Sequence, residues 1–213
     1  MKPIDKELEN LNILLIQMCD VVNNNISQSI ADIIQFDKNR EVNDKIVDDY
    51  EKLIENKCIE IIISNQPVAK DLRLITGILK IITDLERIGD HAEDILKYSK
   101  KLNECKIYRR DRLIEMSKIA NKMVLNAIES FIKMDLNQAN EVIEMDDQLD
   151  FLYDDIRFDL IKLGKNDSSF TDTIVYSILI SKYLERIGDH AVNIAEWVIY
   201  VIKGFHKEKK YEV

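Results

Sequence analysis

Apolar residues recur at spacings of three and four along most of the chain, a pattern typical of amphipathic helices. The first apolar stripe begins at Leu8 and continues to Ile33. A second occupies 42–65, and a third runs from Pro67 to about Leu102. The proline marks the turn between them, because it disfavours helix at the residue before it. The first half of the sequence therefore predicts three long helices.

The second half repeats this plan after a polar connection over 103–112. Apolar stripes over 113–127 and 142–156 predict a fourth and a fifth helix. The polar segment 164–168 separates the fifth helix from a sixth, which ends near Gly204. Helices of about 25–35 residues would be ~40–50 Å long at ~1.5 Å per residue. The sequence therefore predicts an all-α protein.

Eight consecutive residues, Leu-Glu-Arg-Ile-Gly-Asp-His-Ala, occur twice, at Leu85–Ala92 and at Leu184–Ala191. A mixed octapeptide of this length indicates duplication of a structural unit. We therefore predict two tandem, pseudo-symmetric antiparallel three-helix bundles, 1–105 and 106–213, which together form one compact unit. The charged end, 206–213, is expected to fray.

Each copy of the octapeptide belongs to a stripe of acidic residues. At ~100° per residue, the acids of the third helix fall within about 100° of one another, opposite its apolar face. Like charges at i, i+4 repel by a few tenths of a kcal/mol per pair, which suggests that a cation offsets them. The two stripes consist of Glu86, Asp90, Glu93 and Asp94 in the third helix, and Glu185, Asp189, Asn193 and Glu196 in the sixth.

The helix before each stripe supplies acids at the same height. Those of the second helix lie 22 and 18 residues before Gln66, and the acids of the third lie 20 and 24 after it. Spacings about Asn166 are similar, so each antiparallel hairpin brings four carboxylates together. Such oxygen-rich clusters suit Mg²⁺, Mn²⁺ or iron. The predicted metal ligands are Asp44, Asp48, Glu86, Asp90 and Asp94 in the first repeat, and Asp146, Asp150, Glu185, Asp189 and Asn193 in the second.

Other residues of the repeat are expected to support these clusters. Gly89 and Gly188 cost ~1 kcal/mol each relative to alanine inside a helix, which favours a closely packed neighbour at both positions. The arginines are expected to pair with neighbouring acids. A solvated acidic face that holds no metal is the alternative interpretation. The residues expected around the ligands or at the surface are Arg87, His91, Glu93, Arg186, His190 and Glu196.

Composition narrows the classes of function. The net charge of −9 argues against a nucleic-acid partner, which would require clustered Lys and Arg. Cys19, Cys58 and Cys105 are odd in number and form no CxxC, so we expect neither disulfides nor a thiolate zinc site. The chain shows neither a secretory leader nor a membrane-length apolar run. We therefore expect a cytoplasmic protein that reaches membranes through partners.

Two helical classes with reactive histidines fit the sequence less well. A ferritin-like di-metal enzyme needs ExxH pairs, but His91 follows Glu86 by five residues and His190 follows Glu185 by five. A histidine phosphotransfer module would place one reactive histidine on an exposed helix, and two tandem copies in an acidic setting disfavour it. We therefore expect a protein without enzyme activity.

The motifs resemble those of the PhoU family over nearly the whole chain. The family's E(D)xxxD motif has counterparts at Glu86–Asp90 and Glu185–Asp189. Gln66–Arg73 is similar to the family's RQPxAxDLR segment, with Asn65 in place of its first arginine. The second half has no counterpart of that segment near 166–172.

The resemblance implies two three-helix bundles and a negative regulator of phosphate uptake. Such a regulator acts between the phosphate ABC transporter, notably its ATPase subunit, and the phosphate-sensing histidine kinase. It holds the phosphate-starvation response off when phosphate is plentiful. The resemblance also implies iron, zinc, magnesium or manganese at the acids, and a homodimer. An accessory protein of a phosphate symporter and a metal-free helical adaptor are the alternatives.

The two predicted sites differ at one aligned position, where Asp94 of the first repeat corresponds to Asn193 of the second. The amide lacks the negative charge of the carboxylate. The sequence therefore predicts tighter metal binding in the first repeat, and unequal effects of Asp94→Asn and Asn193→Asp on metal occupancy.

Overall fold

The computed structural model describes residues 3–106 and 108–204, and within them it contains six α-helices, one short 3₁₀ turn and no strand. This confirms the predicted all-α class. The charged end, 206–213, lies outside the described residues. The helices are α1 (Pro3–Ile34), α2 (Asp44–Asn65), α3 (Lys70–Leu102), α4 (Arg110–Lys133), α5 (Leu136–Asn166) and α6 (Thr171–Lys203).

Local sequence explains where these helices begin and end. Asn43 caps α2 by accepting a hydrogen bond from the backbone N–H of Ile46. At the other end Gln66 adopts the left-handed conformation, with φ of 47°, just before Pro67. Gly204 ends α6 in the same region at φ 83°, which glycine adopts without strain. The turn that α2 and α3 share, at the predicted position, makes them an antiparallel hairpin.

The helices pack as two three-helix bundles. Helices α1, α2 and α3 contact one another, as do α4, α5 and α6. The two bundles meet where α3 packs along α6 and α1 packs on α4. Of the residues described, no helix is long and apolar enough to cross a membrane.

The repeated octapeptides lie in the centre of this arrangement. Their apolar residues Leu85, Ile88, Leu184 and Ile187 are fully buried, as the helical pattern predicts. Burial of each such side chain stabilises the fold by roughly 1.5–3 kcal/mol. The acidic faces of α3 and α6 are thereby fixed against the helices that precede them, α2 and α5.

Candidate functional site

The first acidic cluster lies between α2 and α3. Burial raises the pKa of Asp44 from 3.8 to about 7, with further increases from the charges of Asp90, Asp48 and Glu93 and from a hydrogen bond with Asp90. The Oδ1 atom of Asp44 is buried, and no described residue hydrogen-bonds to it. Crowded carboxylates of this kind favour protonation or a bound cation.

The same cluster extends by one turn along α2. Burial raises the pKa of Glu86, with contributions from Asp90, Glu51 and Asp48 that the charge of Arg87 opposes. The pKa of Glu51 is also raised, chiefly by burial. Glu51 is not among the ligands predicted from the sequence. Its place three residues after Asp48, on the same helical face, could have identified it.

A glycine lies behind each cluster. A Cβ atom built on Gly89 would meet Oδ1 of Asp44 at 2.8 Å. One built on Gly188 would overlap with Cδ2 of Leu149 on α5. Both glycines therefore allow the preceding helix to approach closely, and Gly89 leaves room for the carboxylate itself.

The second cluster lies between α5 and α6. Burial raises the pKa of Asp146 from 3.8 to about 6, followed by the charges of Asp150, Asp189, Asp147 and Glu185. The buried Oδ1 atom of Asp146 likewise has no hydrogen-bond partner among the described residues. The two predicted hairpins therefore each bring four carboxylates into mutual electrostatic contact.

A lysine ammonium group lies within the second cluster, which the sequence analysis did not predict. Nζ of Lys182 donates hydrogen bonds of 2.7 and 2.6 Å to the two carboxylate oxygens of Glu185. Its charge also opposes the rise in the pKa of Asp150 and of Asp189. The ammonium group lies over the ring of Tyr153, 5.3 Å from the centroid. One carboxylate of the second cluster is thus paired with a positive charge from its own chain, and two others feel that charge.

The two arginines of the octapeptides have different surroundings. Arg87 contacts its acidic neighbours as the sequence predicts, with Nε 3.4 Å from Glu86 and Nη1 3.1 Å from Asp90. Its side chain is 55% exposed, so these pairs are of the weak surface kind. Burial raises the pKa of Tyr183, and the charge of Arg186 partly opposes this rise.

The two histidines lie at the interface of the repeats, where α3 meets α6. The ring centroid of His91 is 5.5 Å from that of His190 and 5.3 Å from that of Tyr183. His91 is buried, and burial followed by the charge of His190 lowers its pKa to about 4. Nδ1 of His190 lies 2.8 Å from Oδ1 of Asp84. The histidines thus connect the two bundles, whereas the sequence placed them around the ligands or at the surface.

Two of the predicted ligands also face this interface. Nδ2 of Asn193 donates a 3.1 Å hydrogen bond to Asp84. Asp94 lies 3.8 Å from Nζ of Lys97 and hydrogen-bonds with Tyr183. Both residues are ~40° around the helix from the aspartate one turn earlier, on the side of the opposite repeat. The residue difference between them therefore changes the interface more directly than it changes the clusters.

The clusters fit a cation in charge and donor type. Within 3–106 and 108–204, no three His, Cys, Asp or Glu side chains are already arranged to hold a metal ion. The buried, unpartnered oxygens of Asp44 and Asp146 nevertheless provide oxygen donors among like charges, as hard cations require. Two further acids were expected around the ligands or at the surface. Glu93 lies close enough to Asp44 to raise the pKa of Asp44, and Glu196 is half-buried on α6.

Comparison with known proteins agrees with this architecture. Residues 15–99 and 113–198 each match the PhoU domain family. A relative in Clostridium acetobutylicum, named phosphate-specific transport system accessory protein PhoU homolog, is 38% identical over 211 residues, 95% of each chain. One of the same name in Pseudomonas aeruginosa is 33% identical over 207 residues, 93% of this chain and 84% of the relative.

Solved structures share the fold. The crystal structure of PhoU from Pseudomonas aeruginosa has a TM-score of 0.87 at 28% identity, covering 94% of this chain and 99% of that one. The phosphate transport system regulatory protein PhoU from Streptococcus pneumoniae gives 0.84 at 24% identity, covering 96% of this chain and 99% of that one. With matching segments in both repeats and relatives alike over nearly the full length, the chain belongs to the PhoU family.

Proposed function

We propose that this protein is an accessory regulator of a phosphate-specific transport system, which restrains the phosphate-starvation response when phosphate is plentiful. The main support for this proposal is that the chain is 38% identical, over 95% of both chains, to a protein named as the accessory protein of such a system. The name describes an accessory role rather than catalysis, and we assign no enzyme activity.

The proposed partners are the ATPase subunit of the phosphate ABC transporter and the phosphate-sensing histidine kinase. Both contacts would occur in the cytoplasm, and the working unit is a homodimer. The net charge of −9 and the two acidic clusters favour partners with basic surfaces. An accessory protein of a phosphate symporter is the alternative, since it would present the same fold.

The acidic clusters are proposed to bind iron, zinc, magnesium or manganese. A multivalent cation supplies positive charge, and it accepts oxygen ligands from two helices at once. Asp44 and Asp146 would donate the oxygens that lack partners among the described residues. The repulsion that raises the pKa values of these aspartates would then be replaced by attraction, tightening each hairpin.

The regulatory assignment can be tested by affinity capture from native cells. The wild-type chain is compared with a variant carrying Glu86→Ala, Asp90→Ala, Glu185→Ala and Asp189→Ala. A charge-matched control carries four substitutions of exposed acids away from the clusters, Glu9→Ala, Glu60→Ala, Glu115→Ala and Glu141→Ala. Equal helicity by circular dichroism establishes that all three chains fold.

The wild type and the control are expected to capture the transporter ATPase or the kinase, and the cluster variant to lose both. A phosphate-starvation promoter fused to a reporter should be repressed by the first two in phosphate-rich medium and not by the third. Capture of a symporter instead would favour the alternative system. Capture of none of these by the wild type would contradict the assignment, and equal capture by all three would favour a metal-free adaptor.

A further inference from the structure

The two acidic clusters are built from equivalent positions but carry different charges. The octapeptides align each α3 residue with the α6 residue 99 positions later, and Asp44 aligns with Asp146. Positions in or beside the clusters then differ in charge type. Thr83, Glu51 and Glu93 of the first repeat correspond to Lys182, Tyr153 and Val192 of the second. In the opposite sense, Lys45 and Lys52 correspond to Asp147 and Asp154, whose charges raise the pKa of Asp150.

Lys182 takes the place of a bound cation in the second cluster. Its ammonium group is 2.6–2.7 Å from both oxygens of Glu185, and it acts electrostatically on Asp150 and Asp189 as well. Lys182 thus pairs with one of the four predicted second-repeat carboxylates and partly offsets the raised pKa values of two others. A divalent cation that entered would have to displace this ammonium group or be repelled by it.

The first cluster lacks the lysine ammonium group of the second. Thr83 stands where the lysine stands in the other repeat, and its hydroxyl hydrogen-bonds to the carbonyl of Leu79. Glu51 and Glu93 add two carboxylates. Arg87 pairs with acids on the outer side through a side chain that is 55% exposed, against 39% for Lys182.

We propose that Lys182 is a built-in counter-ion that excludes multivalent cations from the second cluster, so that metal binds in the first repeat alone. This inference rests on the proposed metal binding, which it narrows from both clusters to the first alone, and it does not depend on the partners assigned above. It also replaces Asn193 as the reason for unequal sites, because that residue faces the interface between the bundles.

Titration of the purified full-length chain with Mn²⁺ tests the inference, with bound metal counted by electron paramagnetic resonance of the free ion. Lys182→Thr copies the first repeat into the second, and Thr83→Lys does the reverse. Lys182→Arg keeps the charge, and Lys122→Thr removes one exposed lysine elsewhere. Adding Glu185→Gln to Lys182→Thr assigns any new metal to the second cluster.

The wild type, Lys182→Arg and Lys122→Thr are expected to load the first repeat alone. Lys182→Thr should gain a second-repeat site at least ~10-fold tighter than any there in the wild type, as expected when a charge is removed at contact distance. Adding Glu185→Gln should abolish this site. Thr83→Lys should weaken the first-repeat site by a similar factor, and thermal unfolding establishes that each variant folds.

Equal loading of both repeats in the wild type would overturn the role of Lys182 while leaving metal binding intact. No new site in folded Lys182→Thr would also overturn it, as would an unaltered first site in Thr83→Lys. If the wild type binds no Mn²⁺, the counter-ion inference fails, and manganese is removed from the metals proposed above. The capture experiment would still decide the regulatory assignment independently.

Discussion

Replacing Asp44 by asparagine should stabilise the metal-free protein above neutral pH. The substitution keeps the size of the side chain and removes the charge that the cluster resists. The pKa of Asp44 is about 7 in the fold, against 3.8 ordinarily. Between these values the folded state retains a proton that the unfolded state releases. The free energy of unfolding of the wild type therefore falls as the pH rises through this range, and stays lowered above it.

The size of the effect follows from the shift. At about 1.4 kcal/mol per pKa unit, the full shift corresponds to ~4 kcal/mol. Asp44 is half-buried, so screening by water reduces the expected penalty to about 1–2 kcal/mol. Asp44→Asn lacks the titrating carboxyl and should therefore be more stable than the wild type by this amount at pH 8. At pH 4 the two chains should differ little.

Urea denaturation in EDTA at pH 4, 6 and 8 measures the difference, with circular dichroism as the signal. Asp49→Asn is the matched control, since Asp49 lies on the same helix and is exposed. Its stability should follow the wild-type pH dependence to within about 0.5 kcal/mol. A destabilised Asp44→Asn at pH 8 would refute the reasoning, because it would mean that the carboxylate is stabilised by its surroundings.

Other substitutions test the glycines and the interface. Gly188→Ala should lower the free energy of unfolding by about 1–2 kcal/mol in urea denaturation, because overlap with a buried leucine outweighs the gain in helix propensity. Gly89→Ala should change stability less, since the carboxylate it displaces can move, but should weaken Mn²⁺ binding. Asp84→Ala should cost about 1–3 kcal/mol in thermal unfolding, because a histidine and an asparagine of the other repeat lose their partner. Asp94→Asn and Asn193→Asp should each change Mn²⁺ affinity less than threefold by calorimetry, because both face the interface.

The fold follows closely from the sequence because its signals agree. Pro67 lies in the turn between α2 and α3, and Gly204 follows the last residue of α6, as the ends of the apolar stripes also indicate. The long helices leave little choice of partner once the octapeptide shows a duplication, since each repeat must bury one apolar face. Local propensity and tertiary packing thus point to the same structure.

The sequence predicts the site less well than the fold, because the residues that form the site depend on the direction of each side chain and not only on the helical face. A four-residue step returns to ~40° from its start, enough to turn Asp94 from the first cluster towards α6. Glu51 and Lys182 also act on the clusters, and neither belongs to the predicted acidic sets. Glu51 shares its face with Asp48, and Lys182 precedes Glu185 by three residues, so both could be found by examining each helical turn for charges of either sign.

The duplicated octapeptide determines how α3 and α6 pack, while the residues around it determine the charges near each copy. His91 packs against Tyr183, whereas the equivalent His190 lies beside Asp84, and these two neighbours occupy matching positions in α3 and α6. The two equivalent histidines therefore have different electrostatic surroundings at the interface of α3 and α6. The same logic applies to the clusters, where Lys182 lies one turn before the repeated glutamate, outside the octapeptide. Because the buried leucines and isoleucines of the octapeptide hold α3 and α6 together whatever these flanking residues are, the charge of one cluster can change without altering the fold that positions both.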